Sequence, residues 1–300
     1  MSAANRLRRS SGNKDCFIAL NGSSNEEFHE FLCFIFLFFV LSSNLAFSQN
    51  LISFNFVDAG ITEGKNIRLE AFEYRPANWN GKVILMSHGS TGGKAEVAKN
   101  SIKFLNISKE ATANGYIFVA YMRKGRGSSE GSFTEESGKC DKTNLRLEQK
   151  EAELQIAQVV EQVKQKYSVS KVILMGHSRG GFLSATYAGK YPDSVSAVVS
   201  LAGAWSAFCE SKNAGVGRAA LEESAKKFKS QMWAFFNQDS YFSTSKFNDP
   251  DYVWLRKTAE NNGITFGRFS NQGMPDGHAT PTYKPNEWAS AFFPKLASID

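Results

Sequence analysis

The stretch KVILMGHSRGGF, residues 171–182, runs four apolar residues straight into a polar knot flanked by glycine. Val172 to Met175 read as a fully buried strand, and the apolar sequence from Phe182 onward reads as a helix. Between them lies Gly176-His177-Ser178-Arg179-Gly180. It is either a turn that happens to contain a serine, or a strand–Ser–helix elbow that presents the Ser178 hydroxyl for attack. The pattern G-x-S-x-G is weak by itself. With 24 glycines in 300 residues it recurs by chance, and Gly127-Ser128-Ser129-Glu130-Gly131 is a second match. Context separates the two. Ser178 follows its strand directly and a helix starts at once, a turn so tight that side chains two positions either side would collide. Glycine at 176 and 180 removes the collision. Ser129 stands several residues beyond the strand YIFVAYM and runs into SFTEESGK, which has no helical start. The reading is Ser178 as nucleophile and Ser129 as a loop serine.

A serine hydroxyl needs a base. Beyond residue 48 the histidines are His88, His177 and His278. His177 is built into the elbow, with its side chain expected to point away from the place Ser178 faces, and His88 belongs to SHGSTGG after an earlier strand. His278, in MPDGHATP after the last strand, is the remaining choice. The acid that orients the imidazole falls between serine and histidine in the chain. Asp193, Asp239, Asp249, Asp251 and Asp276 satisfy the order. Asp239 directly follows the strand QMWAFFNQ, at the carboxyl edge of a sheet, and is preferred. Asp193 reads as a surface turn, Asp249 and Asp251 as a helix start, and Asp276 lies too close to His278. The backbone N–H groups of Ser90 and Arg179 are the expected oxyanion donors. A phosphate-loop reading of HGSTGGKA fails, because Gly89 is misplaced relative to Lys94 and Ala95 stands where Ser or Thr would hold magnesium.

Around these motifs the chain alternates. Ile52–Gly60 and IRLEAFEYRP read as an antiparallel edge pair. After them come the strand KVILMSHG, a helix from about Lys94 to Asn114, the strand YIFVAYM and a long helix from Asn144 to Tyr167. The apolar residues Leu145, Leu147, Leu154, Ile156, Val159, Val160 and Val163 are expected on or near one face of that helix. Strand–helix alternation continues to a closing helix at NEWASAFFPKLASI. Apolar strands alternating with helices imply an α/β fold with a mostly parallel sheet covered on both faces. Residues 52–300 read as one domain.

Residues 1–48 differ in kind. Phe31 to Leu41 is an apolar run of about the length of a signal-peptide core and too short for a membrane span. Arg6, Arg8, Arg9 and Lys14 precede it, and Ala46 and Ser48 supply small residues for cleavage after Ser48. The expectation is an exported protein without stable membrane association once the leader is gone; a signal anchor is the alternative. Loss of the leader leaves Cys140 and Cys209 of four cysteines, the count for one disulfide. The net charge of +6 is scattered rather than clustered, which disfavours a nucleic-acid partner.

The motifs MSHGSTGG, MGHSRGG, WAFFNQDSYF and DGHATP, spread over nearly the whole domain, resemble the α/β-hydrolase family and within it the dienelactone-hydrolase-like branch. The resemblance implies a Ser178–Asp239–His278 triad, no metal or organic cofactor, and small-molecule carboxylic ester or related acyl substrates. RKGRGSSEGSF also resembles a loop of secreted acyl and X-prolyl peptidases, so a serine peptidase or acylaminoacyl hydrolase stays open. A hydrolase-like binding module without catalysis is a further alternative. Dienelactone members typically use cysteine where Ser178 stands, which argues for a general esterase. Gly203–Ser230 is too short for a large lid.

Overall fold

The short apolar runs of the sequence become strands with no exposed face. In the computed structural model β3 (Val83–Ser87), β4 (Ile117–Tyr121), β5 (Val172–His177), β6 (Val195–Leu201) and β7 (Gln231–Phe236) are buried almost throughout. Strands of that kind need helices on both sides. With β1 (Ser48–Asp58), β2 (Lys65–Arg75) and β8 (Thr265–Phe269) they form one sheet in the order β1-β2-β4-β3-β5-β6-β7-β8. β1 pairs antiparallel with β2, and β2 with β4; β3 to β8 are parallel. The structure describes residues 48–58, 65–90, 99–133, 135, 142–203, 210–240 and 250–299. The chain divides into units Met1–Leu45 and Ala46–Asp300; the expected leader, Cys140, Cys209 and Asp249 lie outside the described residues.

Side chains alternate across the sheet because successive strand residues face opposite ways. Val83, Leu85, Val119, Val172 and Leu174 enter one core with helices α2 (Lys142–Tyr167), α3 (Arg179–Lys190), α4 (Glu210–Lys227) and α5 (Pro250–Asn261). Ile84, Met86, Phe118, Ile173 and Met175 enter the other, with α1 (Leu105–Ala113) and α7 (Asn286–Ala297). A one-turn helix, α6 (Thr280–Tyr283), precedes α7.

Three sequence expectations shift. β1 begins at Ser48 rather than Ile52, because its pairing with β2 continues to Ser48 opposite Arg75. The helix expected from about Lys94 is described only from Leu105; Phe104 has φ 51°, ψ 42°, a left-handed conformation that a right-handed helix cannot pass through. On α2, Ile156, Val159, Val160 and Val163 are buried as expected, but Leu147 and Leu154 are 57% and 42% exposed. Those two lie on the opposite side of a 3.6-residue spiral. Glu148, Gln149, Glu153 and Gln155 are buried on this helix instead. Gln155 accepts a hydrogen bond from the Lys124 main chain at 2.8 Å, and Glu153 accepts from Thr186 on α3 at 3.0 Å.

The topology places the site. From β3 the chain steps to β4 on one side and then returns to β5 on the other, so the order in which strands are added reverses between β3 and β5 while the strands stay parallel. A crevice opens at such a reversal, at the carboxyl ends of the strands. Ser87 closes β3 opposite Gly176 of β5, which brings SHGS and the elbow side by side.

Candidate active site

Ser178 sits at the turn from β5 into α3 with φ 54°, ψ −125°. A non-glycine residue there costs on the order of 1–3 kcal/mol, strain typical of functional positions. The glycines around it have no room for a side chain. A Cβ on Gly176 would lie 2.2 Å from the Gly180 carbonyl carbon, and one on Gly180 would lie 2.2 Å from the Ser87 carbonyl oxygen. The Ser178 N–H donates to Leu201 O at 2.9 Å, tying the turn to β6. Arg179 opens α3 directly after Ser178, which puts the positive end of the helix at the elbow.

β7 ends three residues before Asp239, whose side chain is fully buried. His278 Nδ1 lies 3.1 and 3.0 Å from the two carboxylate oxygens. A carboxylate oxygen is the acceptor in such a pair, so the ring meets Asp239 through an Nδ1–H and Nε2 is its other edge. Gly277 makes the approach possible: a Cβ there would meet Asn237 O at 2.1 Å, and its N–H donates to Gln238 O at 3.0 Å. Asp276 adds a clip. Its carboxylate accepts from the His278 N–H (2.9 Å), the Ser240 N–H (3.0 Å) and the Ser240 hydroxyl (2.7 Å). Those bonds hold its carboxyl below the ordinary value against the opposing effect of burial.

Ser90 follows His88-Gly89 just past β3. Gly89 packs against the elbow, since a Cβ there would stand 2.9 Å from Ser178 Cβ. Ser178, Gly89, Asp239 and His278 thus all occupy the carboxyl end of the sheet. Asp193 does not: it lies in the turn Pro192–Ser194 that leads into the start of β6, at the opposite end. The Asp251 side chain lies outside the described residues. Ser129 has a different task. Its buried hydroxyl donates to Met122 O at 2.7 Å and accepts from the Glu70 N–H at 2.9 Å, holding its loop onto β2.

A sequence profile described as "alpha/beta hydrolase fold" matches residues 82–259, more than half of the chain. The chain belongs to the α/β-hydrolase family. Several solved hydrolases share the fold at low identity. A predicted CIB-like hydrolase from Thermoplasma acidophilum has a TM-score of 0.55 at 16% identity, over 84% of this chain and 99% of its own. An esterase from Pyrococcus furiosus has a TM-score of 0.54 at 11% identity, over 84% and 92%. An acylaminoacyl peptidase from Pyrococcus horikoshii has 0.53 at 13% identity, over 86% of this chain and 42% of that one. No curated protein matches the chain by sequence.

Two residues of this α/β-hydrolase have roles that the sequence reading did not give them. His177 is turned toward the site, not away from it. Its ring lies 4.9 Å from the His278 ring, and its Nε2 donates to His278 O at 2.7 Å. His177 is the last residue of β5, and strand alternation puts it on the face of Ile173 and Met175, the face covered by α7 and reached through the His278 loop. Burial, and then the neighbouring His278, hold His177 down to about 3, so it is neutral. His278 is therefore gripped at both main-chain groups, N–H by Asp276 and C=O by His177. The second is Arg123, buried behind SHGS. An Asp two residues before a turn histidine is a legible cap signal; Arg123 opens the stretch RKGRGSSEGSF, but its partners His88 and Gly89 are remote in the chain.

Proposed function

We propose that this hydrolase cleaves a carboxylic ester or related acyl bond through Ser178, His278 and Asp239 and a covalent acyl-enzyme. The observation that carries the reading is the pairing of His278 Nδ1 with both Asp239 oxygens at the sheet end where Ser178 is held at positive φ. Ser178 Oγ attacks the acyl carbon while His278 Nε2 takes its proton, and the imidazolium is stabilised by Asp239. The carbonyl oxygen, now negative, is received by the N–H groups of Ser90 and Arg179. His278 then protonates the leaving oxygen, and a water repeats the sequence to free the acid and restore Ser178.

The substrate is a small acyl compound rather than a nucleic acid. Ser178, where dienelactone-type relatives carry cysteine, favours a general esterase within that branch. Residues 1–48 serve as an export leader cleaved after Ser48, and Cys140 joins Cys209 in the exported protein. Among the described residues no helix is long and apolar enough to cross a membrane.

A panel of p-nitrophenyl acyl esters beside aminoacyl p-nitroanilides tests the assignment. Ester turnover lost in Ser178→Ala supports it. Turnover confined to the anilides replaces it with a peptidase, and no Ser178-dependent turnover of either class overturns it.

A further inference from the structure

The SHGS loop is held from behind by a buried ionic cluster with no part in proton transfer. Arg123, just past β4, and Glu135 are both almost fully buried. The Arg123 guanidinium donates through Nη1 to His88 O at 2.6 Å, through Nη2 to Gly89 O at 3.3 Å, and through Nε to the Glu135 carboxylate. Its main-chain N–H donates to His88 Nε2 at 3.1 Å, and His88 Nδ1 donates back to Gly89 O at 2.7 Å. Glu135 also takes the other flank of the crevice. Arg179 Nη1 donates to its main-chain oxygen at 2.9 Å and lies 3.5 Å from its carboxylate.

The Gly89–Ser90 peptide is therefore fixed at its oxygen by two donors. A trans peptide is planar, with C=O and N–H on opposite edges. With Gly89 O facing Arg123, the Ser90 N–H must face away from the cluster, and Gly89 lies so near Ser178 that a Cβ on it would stand 2.9 Å from the Ser178 Cβ. Stability alone is a poor reason for such a cluster, because well-packed apolar residues commonly replace a buried ion pair without loss.

Resting on the triad reading above, we propose that Arg123, anchored by Glu135, is a positioning residue for the oxyanion hole. It sets the direction of the Ser90 N–H, and Glu135 couples that loop to Arg179, which bears the second donor. The pair touches no substrate; it fixes where the developing charge is received.

The test uses p-nitrophenyl acetate and the variants Arg123→Met, Arg123→Lys and Glu135→Gln, with active sites counted by fluorophosphonate labelling run to completion. Loss of one oxyanion donor costs about 10²–10³-fold in kcat. Arg123→Met should approach that loss per active site, with KM nearly unchanged and the rate of fluorophosphonate inactivation falling in parallel. Arg123→Lys keeps the charge against Glu135 but cannot fork to two carbonyls, so it should fall between Met and wild type. The apparent pKa of the kcat/KM profile should stay that of wild type, since His278 and Asp239 are untouched. Wild-type kcat per active site in Arg123→Lys and Glu135→Gln, with only the yield of folded protein reduced, overturns the proposal and leaves the cluster a structural tie. If Arg123→Met does not fold, those two variants decide. A Ser178→Ala enzyme that still turns over fails the triad reading instead, an outcome the Arg123 series does not produce.

Discussion

Gly180→Ala should disable the site out of proportion to the stability it removes. The added Cβ would lie 2.2 Å from Ser87 O and 2.5 Å from His88 O, both main-chain atoms at the end of β3 that cannot rotate aside. Restoring ordinary contact requires the start of α3 to lift from β3 by about 1 Å, and overpacking of this kind costs about 1–3 kcal/mol. The same movement parts Arg179 from Ser90, the two donors assigned to the oxyanion, and a misplacement of about 1 Å can cost about 10²-fold in rate. Gly189→Ala is the control. Its Cβ would crowd the Ser224 Cα at 2.6 Å and Cβ at 2.8 Å, a comparable clash about 13 Å further along α3. Urea unfolding should show both variants destabilised. Ester turnover per fluorophosphonate-labelled site should fall about 100-fold in Gly180→Ala and stay at wild type in Gly189→Ala. Wild-type turnover per site in Gly180→Ala, or equal losses in the two, would refute the reasoning.

Asp239→Asn leaves His278 Nδ1 without an anionic acceptor, so kcat should fall by about 10⁴-fold while the fold is kept; an unchanged rate in a steady-state assay removes Asp239 from the triad. Asp276→Ala loses the clip between the Ser240 and His278 loops and should cost about 1–2 kcal/mol in thermal or urea unfolding, as for loss of a helix cap. Burial, and then the charge of Arg123, hold His88 at about 3 in the fold, so the unfolded chain takes up a proton first as pH falls below about 6.5. Stability from His88 is complete above that pH and declines toward about 3, reaching a loss of about 2 kcal/mol at about pH 5. His177, with its lowered value, adds in the same direction. Equal urea-unfolding free energies at about pH 7.5 and about pH 5 would contradict neutral burial of these rings.

Much of the fold is legible because a parallel sheet imposes a plain pattern. VILMS, IFVAY and VSAVVSL can only be strands covered on both faces, and the glycines at 176 and 180 mark a turn without room for Cβ. The proposed triad follows from elimination, since few histidines and one strand-end aspartate fit, and the fold brings two of its members, Asp239 and His278, into contact. What escaped was the set of residues whose partners are distant in sequence. Arg123 opens RKGRGSSEGSF and Glu135 follows it, but nothing in that stretch names their partners until β3, β4 and α3 bring His88, Gly89 and Arg179 beside them. The polar face of α2 escaped for the same reason: Gln155 and Glu153 are buried because Lys124, Thr186 and Lys190 meet them there. His177 differs from expectation because it was assigned to the elbow, whereas it is the last residue of β5 and continues the face of Ile173 and Met175.

The central claim is that Ser178 is the nucleophile, and peptide mapping after fluorophosphonate labelling tests it most directly. The account predicts one adduct, on the peptide carrying Ser178, abolished in Ser178→Ala and retained in Ser129→Ala, whose hydroxyl is committed to Met122 and Glu70. An adduct on Ser129, or labelling that survives in Ser178→Ala, would contradict it.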